Sequence, residues 1–178
     1  MVTLRCSQAL LRRIKSPVED ELATGSALGD WYARAIFVRP IQLVLCTNER
    51  SLLSIVVPLS PAPTLIDRFR SAALARIRQI PVSSELLADE CSALDEIRIG
   101  SAKNRSVISA MNHLTYGIEA WLAYPHPNDL EHLGLTLCDT PISSISTHWP
   151  WLEAELLLTG SVVPGRNGKF LRMLSNPR

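Results

Sequence analysis

Two hydrophobic rhythms run along this chain, one of period two and one of three to four, and together they lay out its elements. Residues 2–6 (V-T-L-R-C) alternate and are rich in branched side chains, which predicts a short strand. Ser7 stands where a helix would be capped, and Leu10, Leu11 and Ile14 give that helix an inner face. Pro17, Gly25, Gly29 and the acids Glu19, Asp20 and Glu21 mark residues 16–29 as a loop. Residues 31–38 place Trp31, Ala33, Ala35 and Phe37 on one side at period two. The same Ala-rich stretch also reads as a helix capped by Asp30, and the pattern leaves both open. Residues 41–46 and 52–57 are compact branched runs joined by T-N-E-R, a hairpin loop, so a three-stranded meander is expected.

The second rhythm takes over after Pro61 and Pro63. Thr64 with Asp67 three residues on resembles a capping box, and Ile66, Phe69, Ala73, Ile77 and Ile80 define one buried helical face that ends at Pro81. Ser83 or Ser84 starts a second helix reaching about Ala93, and residues 96–100 (E-I-R-I-G) return to strand alternation. Residues 104–123 carry the strongest helical pattern: Val107, Met111, Leu114, Ile118 and Leu122 repeat at steps of four and three. Pro125 and Pro127 close it. A short helix over 128–138, capped by Asn128 or Asp129, and a last one over 149–158 follow. Strands and helices do not alternate in the order a doubly wound sheet requires. The expectation is therefore an α+β fold: a small antiparallel sheet of four to five strands covered by helices on one face. Residues 1–158 form its single domain, and 159–178 a basic, flexible C-terminal tail.

Composition sharpens this picture at a few points. With 178 residues, 47% of them hydrophobic and 20% charged, the chain can bury a core without disulfides or metal. A net charge of +1 excludes a surface built throughout for nucleic acid or anionic lipid. The charge is uneven, however. Arg5, Arg12, Arg13 and Lys15 at one end and Arg166, Lys169, Arg172 and Arg178 at the other stand without acids among them. The four cysteines form no C-x-x-C pair, the N-terminus does not read as a signal peptide, and no apolar run nears the roughly 18 residues that span a bilayer. A reduced, cytoplasmic protein with no membrane contact is expected.

The candidate chemistry lies on the strong helix. Arg105, Ser109, Asn112 and Tyr116 form a hydrogen-bonding stripe opposite its apolar face, and Lys103 and Asn104 stand where it begins. A helix start flanked by cations suits an anion or phosphate; a solvated face with an ordinary cap has the same sequence. Asp30, Trp31 and Tyr32 are either a stacking platform for a ligand or the anchor of a strand. Arg68, Arg70, Arg76 and Arg78 spread over a wide arc, which fits a solvated face paired with the acids of 85–96 better than a nucleic-acid stripe. His126, His132 and Cys138 lack any metal-binding spacing, so no metal and no cofactor are expected. Nucleophile elbow, Walker loop and G-x-G-x-x-G are all missing, and no catalytic residue is assigned. His113, with Arg105 and Lys103, is the one set that metal-independent phosphate chemistry would use.

Three stretches, V-T-L-R-C-S-Q-A-L-L, L-G-D-W-Y-A-R-A-I-F-V with L-V-L-C-T-N-E-R-S-L-L, and N-R-S-V-I-S-A-M-N-H-L, resemble a bacterial family that is a domain of unknown function. Some relatives are joined to a domain of a plasmid open reading frame linked to mobile elements. The recurring positions match Asp30, Trp31, Asn48, Asn104, Arg105, Ser106, Met111 and Asn112. Relatives carry Gly at Ser109 or Ala110 and Asp at His113. The resemblance implies bacterial origin and one fold, and brings no activity or ligand. Three functions are thus expected, in this order. The first is a non-enzymatic binding or accessory module acting through a protein partner. The second is a nucleic-acid-acting protein, such as a toxin-like RNase or a mobile-element or defence component, working through Lys103, Arg105 and the basic ends. The third is a small-molecule or nucleotide site lined by Trp31, Tyr32, Asn48, Arg105 and Asn112.

Overall fold

The computed structural model describes residues 1–19, 25–123 and 129–161. Its strands are β1 (Val2–Cys6), β2 (Trp31–Val38), β3 (Ile41–Asn48), β4 (Ser54–Pro58) and β5 (Ile97–Ser101). Its helices are α1 (Gln8–Ile14), α2 (Leu65–Arg78), α3 (Ser84–Ala93), α4 (Arg105–Leu122), α5 (Leu130–Cys138) and α6 (Pro150–Thr159). The period-two reading of 31–38 is the correct one, and Asp30 caps no helix. The tail expected over 159–178 lies outside the described residues from 162 onward.

All five strands join one sheet in the order β4-β3-β2-β1-β5. The meander is present: β2 pairs antiparallel with β3, and β3 with β4. The sheet is nevertheless mixed, because β1 lies parallel to both β2 and β5. The physical reason is the connection. A link that contains a helix returns the chain in its original direction, whereas short turns reverse it. α1 and the following loop form such a crossover between β1 and β2.

Helices cover both faces of the sheet, which corrects the one-sided expectation. On one face Leu4, Trp31, Val44 and Ile55 meet Leu65, Phe69, Ala73 and Ile77 of α2 and Trp151 of α6. Trp31 is fully buried there, with its ring edge-on to Phe69 at 5.6 Å. On the other face Tyr32, Ile36, Leu45 and Val56 meet Val107, Met111, Leu114 and Ile118 of α4. α5 contributes to both layers, Leu135 and Cys138 to the first and Leu133 and Leu137 to the second, because it packs along the β4 edge.

Exposed sheet edges invite unwanted pairing, and each outer edge here meets a neighbouring segment at one residue. At β4 the buried Cys138 thiol accepts from the Ser54 N–H at 3.3 Å and donates to the Ser54 carbonyl at 3.4 Å. At β5 the Glu19 N–H donates to the Ile99 carbonyl at 2.8 Å. The expected helix caps are realised unevenly. Asn104 accepts from the Ser106 N–H and Asp129 from the His132 N–H. Ser7 and Thr64 make no side-chain cap; Thr64 instead donates to the Pro61 carbonyl.

Candidate functional site

The residues singled out above separate into two groups. Asp30, Tyr32 and Asn48 belong to a buried polar ring where β1, β2 and the β3–β4 turn meet, and exposed Asn104 touches its rim. Asp30 accepts from the Thr3 N–H at 3.0 Å and from Arg5 Nε and an Arg5 amino group, both at 2.7 Å. Its backbone carbonyl accepts from the Glu49 N–H at 2.8 Å. Asn48, fully buried, organises the turn: its Oδ1 accepts from the Arg50 N–H, the Ser51 N–H and the Ser51 hydroxyl. The Tyr32 hydroxyl donates to Glu49 Oε1 at 3.2 Å, and the Asn104 amide donates to the same carboxylate at 3.4 Å. Burial and the Glu49 charge push the Tyr32 phenol up to about 12, against the smaller opposing pull of the Asn104 N–H and Arg5. This ring is a set of mutual partners that ties the start of β2 to its neighbours, with the buried Thr3 hydroxyl left without one. Trp31 stands apart from it, because consecutive strand residues face opposite ways and Trp31 enters the other layer.

The second group faces outward on α4. Arg105, Ser109, Asn112 and Tyr116 are all exposed while Val107, Met111, Leu114 and Ile118 are buried, so the helix has the two faces its sequence requires. Asn112 accepts a hydrogen bond from Arg34 of β2. Lys103 and Arg105 are exposed at the start of the helix. Asp30 and Asn48 therefore do not converge with Arg105 and Asn112 on one cleft.

The same helix forms one wall of a groove of about 660 Å³. Ser106, Ser109 and His113 line it from α4, and Ser143, Ser144 and His148 from the segment before α6; Ala110 and Ile142 supply apolar surface. The far wall is held from behind. The Ile142 N–H donates to the His148 carbonyl at 2.8 Å, and buried Glu153 accepts from the Ser146 hydroxyl and the Thr147 N–H. His148 has φ of 62°, a left-handed conformation that few non-glycine residues adopt. Local pattern points to His113 but not to residues 143–148, because that wall is set by folding onto α4 and carries no periodicity.

The arginines of α2 do not pair with the acids of 85–96. Arg68 takes the carbonyls of Pro58, Leu59 and Pro61, and Arg70 takes those of Leu94 and Asp95. Arg76 is buried, with bonds to Gln79 Oε1 and the Glu131 carbonyl. At the N-terminus Arg5 is spent on Asp30, and Arg13 lies over the Phe37 ring at 5.6 Å. Among the described residues no group of three or more His, Cys, Asp or Glu is arranged to hold a metal, and no helix is long and apolar enough to cross a membrane. His126 lies outside the described residues.

The fold and site define a single α+β domain with a mixed five-stranded sheet, a polar ring inside it and an open groove on α4. A family model described as a domain of unknown function (DUF6933) matches residues 3–153, and the chain belongs to that family. No curated protein and no solved structure matches it.

Proposed function

We propose that the chain is a non-enzymatic accessory module of a bacterial cytoplasm, and that it works by holding a partner protein in the α4 groove. The observation that carries this reading is the groove itself, with serine and histidine side chains on both walls and Arg105 exposed on the same helix. The groove lining is rich in hydroxyl and imidazole groups, which bind polar and acidic side chains. Lys103 and Arg105 add positive charge, so an acidic patch of the partner is the complementary surface.

Site-specific crosslinking tests it. A photoreactive benzoylphenylalanine at exposed Ser109 should capture one discrete adduct in cells, and Arg105→Glu should weaken that capture. The same probe at exposed Arg78 on α2 serves as the control. Adducts at both positions alike, or at neither, overturn the reading. Recovery of RNA at Ser109 would transfer the groove to the nucleic-acid function, with salt-sensitive binding as its signature.

A further inference from the structure

A third strand edge lies inside the sheet, with unpaired backbone beside α1, whose Arg13 lies over the Phe37 ring and whose Gln8 and Ala9 border the adjacent cavity. β2 is eight residues long, but β1 pairs only with its first three, Trp31, Tyr32 and Ala33. The Ser7 N–H still donates to the Ala33 carbonyl at 2.8 Å, so the odd-numbered backbone groups of β2 face β1. The next rung would carry the Ala35 N–H to the Ser7 carbonyl. That carbonyl instead accepts from Leu10 and Leu11 as α1 begins. Among the described residues, the edge-facing backbone groups of Ala35 and Phe37 have no partner. Ala35 is half-buried and Phe37 is 50% exposed, so the step opens to solvent.

Beside the step is a cavity of about 300 Å³, bordered by Ser7, Ala33, Arg34, Ala35, Ala102 and Met111. Alanine at 33, 35 and 102 leaves room for one inserted side chain. The segments that carry β1, α1, β2 and β3 are basic, and the acids at their borders, Glu19, Asp30 and Glu49, are engaged by Arg98, Arg5 and Tyr32. Residues 1–18 and 31–48 contain Arg5, Arg12, Arg13, Lys15, Arg34 and Arg39 and no Asp or Glu. Arg5 is neutralised by Asp30, whereas Arg34 has spent one amino group on Asn112 and kept its other donors.

We propose that this step docks an extended acidic segment of a partner protein. The segment adds as a strand against Ala35 and Phe37, with one side chain in the cavity and its carboxylates toward Arg34 and Arg39. Main-chain bonds supply affinity in this mode, and pockets for alternate side chains supply selectivity. Charge decides the occupant. A second copy would set the same basic edge against itself. The chain's own residues 162–178 carry Arg166, Lys169, Arg172 and Arg178 and no acid.

The site is on the opposite flank of α4 from the groove, bordered by Ile108 and Met111 in place of Ser106, Ser109 and His113. Its failure is therefore distinguishable from failure of the Ser109 crosslink. The probe is a blocked heptapeptide of alternating Glu and Val, with a Lys and Val counterpart. The Glu peptide should bind saturably and slow hydrogen exchange at the Ala35 and Phe37 amides, leaving those around Ser109 unchanged. Ala35→Pro removes the edge-facing N–H at a position where proline is tolerated, and should weaken binding roughly tenfold or more. Arg39→Glu, at an exposed residue, should weaken it with the unfolding midpoint unchanged, which keeps the test intact if the proline variant misfolds. Equal binding of the Lys peptide, no binding of either, or indifference to both substitutions overturns the proposal. So does an Ala35 amide already protected in the peptide-free protein: protection that grows with concentration would name a second copy, and constant protection the chain itself.

Discussion

At the residue scale, Asp30 stands in a signature with two readings, a ligand platform or the anchor of a strand. L-G-D-W-Y stands out because an acid and two large aromatics follow a glycine turn, which is how ligand platforms look. The strand geometry separates the three: Trp31 goes to one layer, Tyr32 to the other, and Asp30 closes on Arg5 and Thr3. The distinction was not legible locally, since Arg5 lies 25 positions away and nothing in its neighbourhood marks it as the partner. Asp30→Asn keeps an acceptor for the Thr3 N–H but leaves the Arg5 guanidinium, only 16% exposed, without its counter-charge. Removing one member of a buried pair costs about 3–5 kcal/mol, and the partial exposure of Arg5 brings the expected loss to roughly 2–3 kcal/mol in urea unfolding. A loss under about 1 kcal/mol would mean that the carboxylate is held for a ligand and not for the scaffold.

At the element scale, helices were the most readable feature. The periodicity of 104–123 gave the buried and exposed faces of α4 correctly, because a 3.6-residue repeat needs no knowledge of what lies across the interface. The charges of α2 were less readable. Four arginines on one helix look like a solvated face, yet Arg68 and Arg70 fasten loop carbonyls and Arg76 points inward. Carbonyl acceptors are invisible in sequence because every residue has one. Arg76 is the unusual member: it is 3% exposed, has no carboxylate partner among the described residues, and its Nε is unsatisfied. It lies so close to α5 that a Cβ on Gly134 would come within 2.9 Å of its amino group. A buried cation held only by neutral acceptors repays little of its desolvation. Arg76→Met should therefore be neutral or stabilising, by up to about 2 kcal/mol, as read from the thermal midpoint. A fall of that size instead would show that the bonds to Gln79 and Glu131 outweigh the cost of burying the charge.

At the scale of the whole molecule, the order of elements was legible and the way β1 joins them was not. Strand order depends on pairings between distant residues, Val2 with Ile97 and Leu4 with Trp31, and no local pattern encodes them. That arrangement places β1 inside the sheet between β2 and β5, where Cys6 is enclosed in the first layer, while Tyr32 is enclosed in the second. Burial raises the Cys6 thiol from 9.0 to about 12, and burial with the Glu49 charge raises Tyr32 from 10.0 to about 12. In the unfolded chain both groups release their protons near their ordinary values; in the folded one they hold them until about 12. Between pH 9 and 12 the folded state thus binds more protons than the unfolded, so stability falls as pH rises and is fully present below pH 9. Both groups therefore draw down the stability of the folded state in the same direction across that window. The expected outcome is cooperative alkaline unfolding within that window, with the Tyr32 phenolate appearing together with loss of circular dichroism. Tyr32→Phe should move the transition to higher pH. A Tyr32 that ionises in the folded protein near its ordinary value would show that water reaches the polar ring, and that the ring is an open site instead of the closed joint between the two layers.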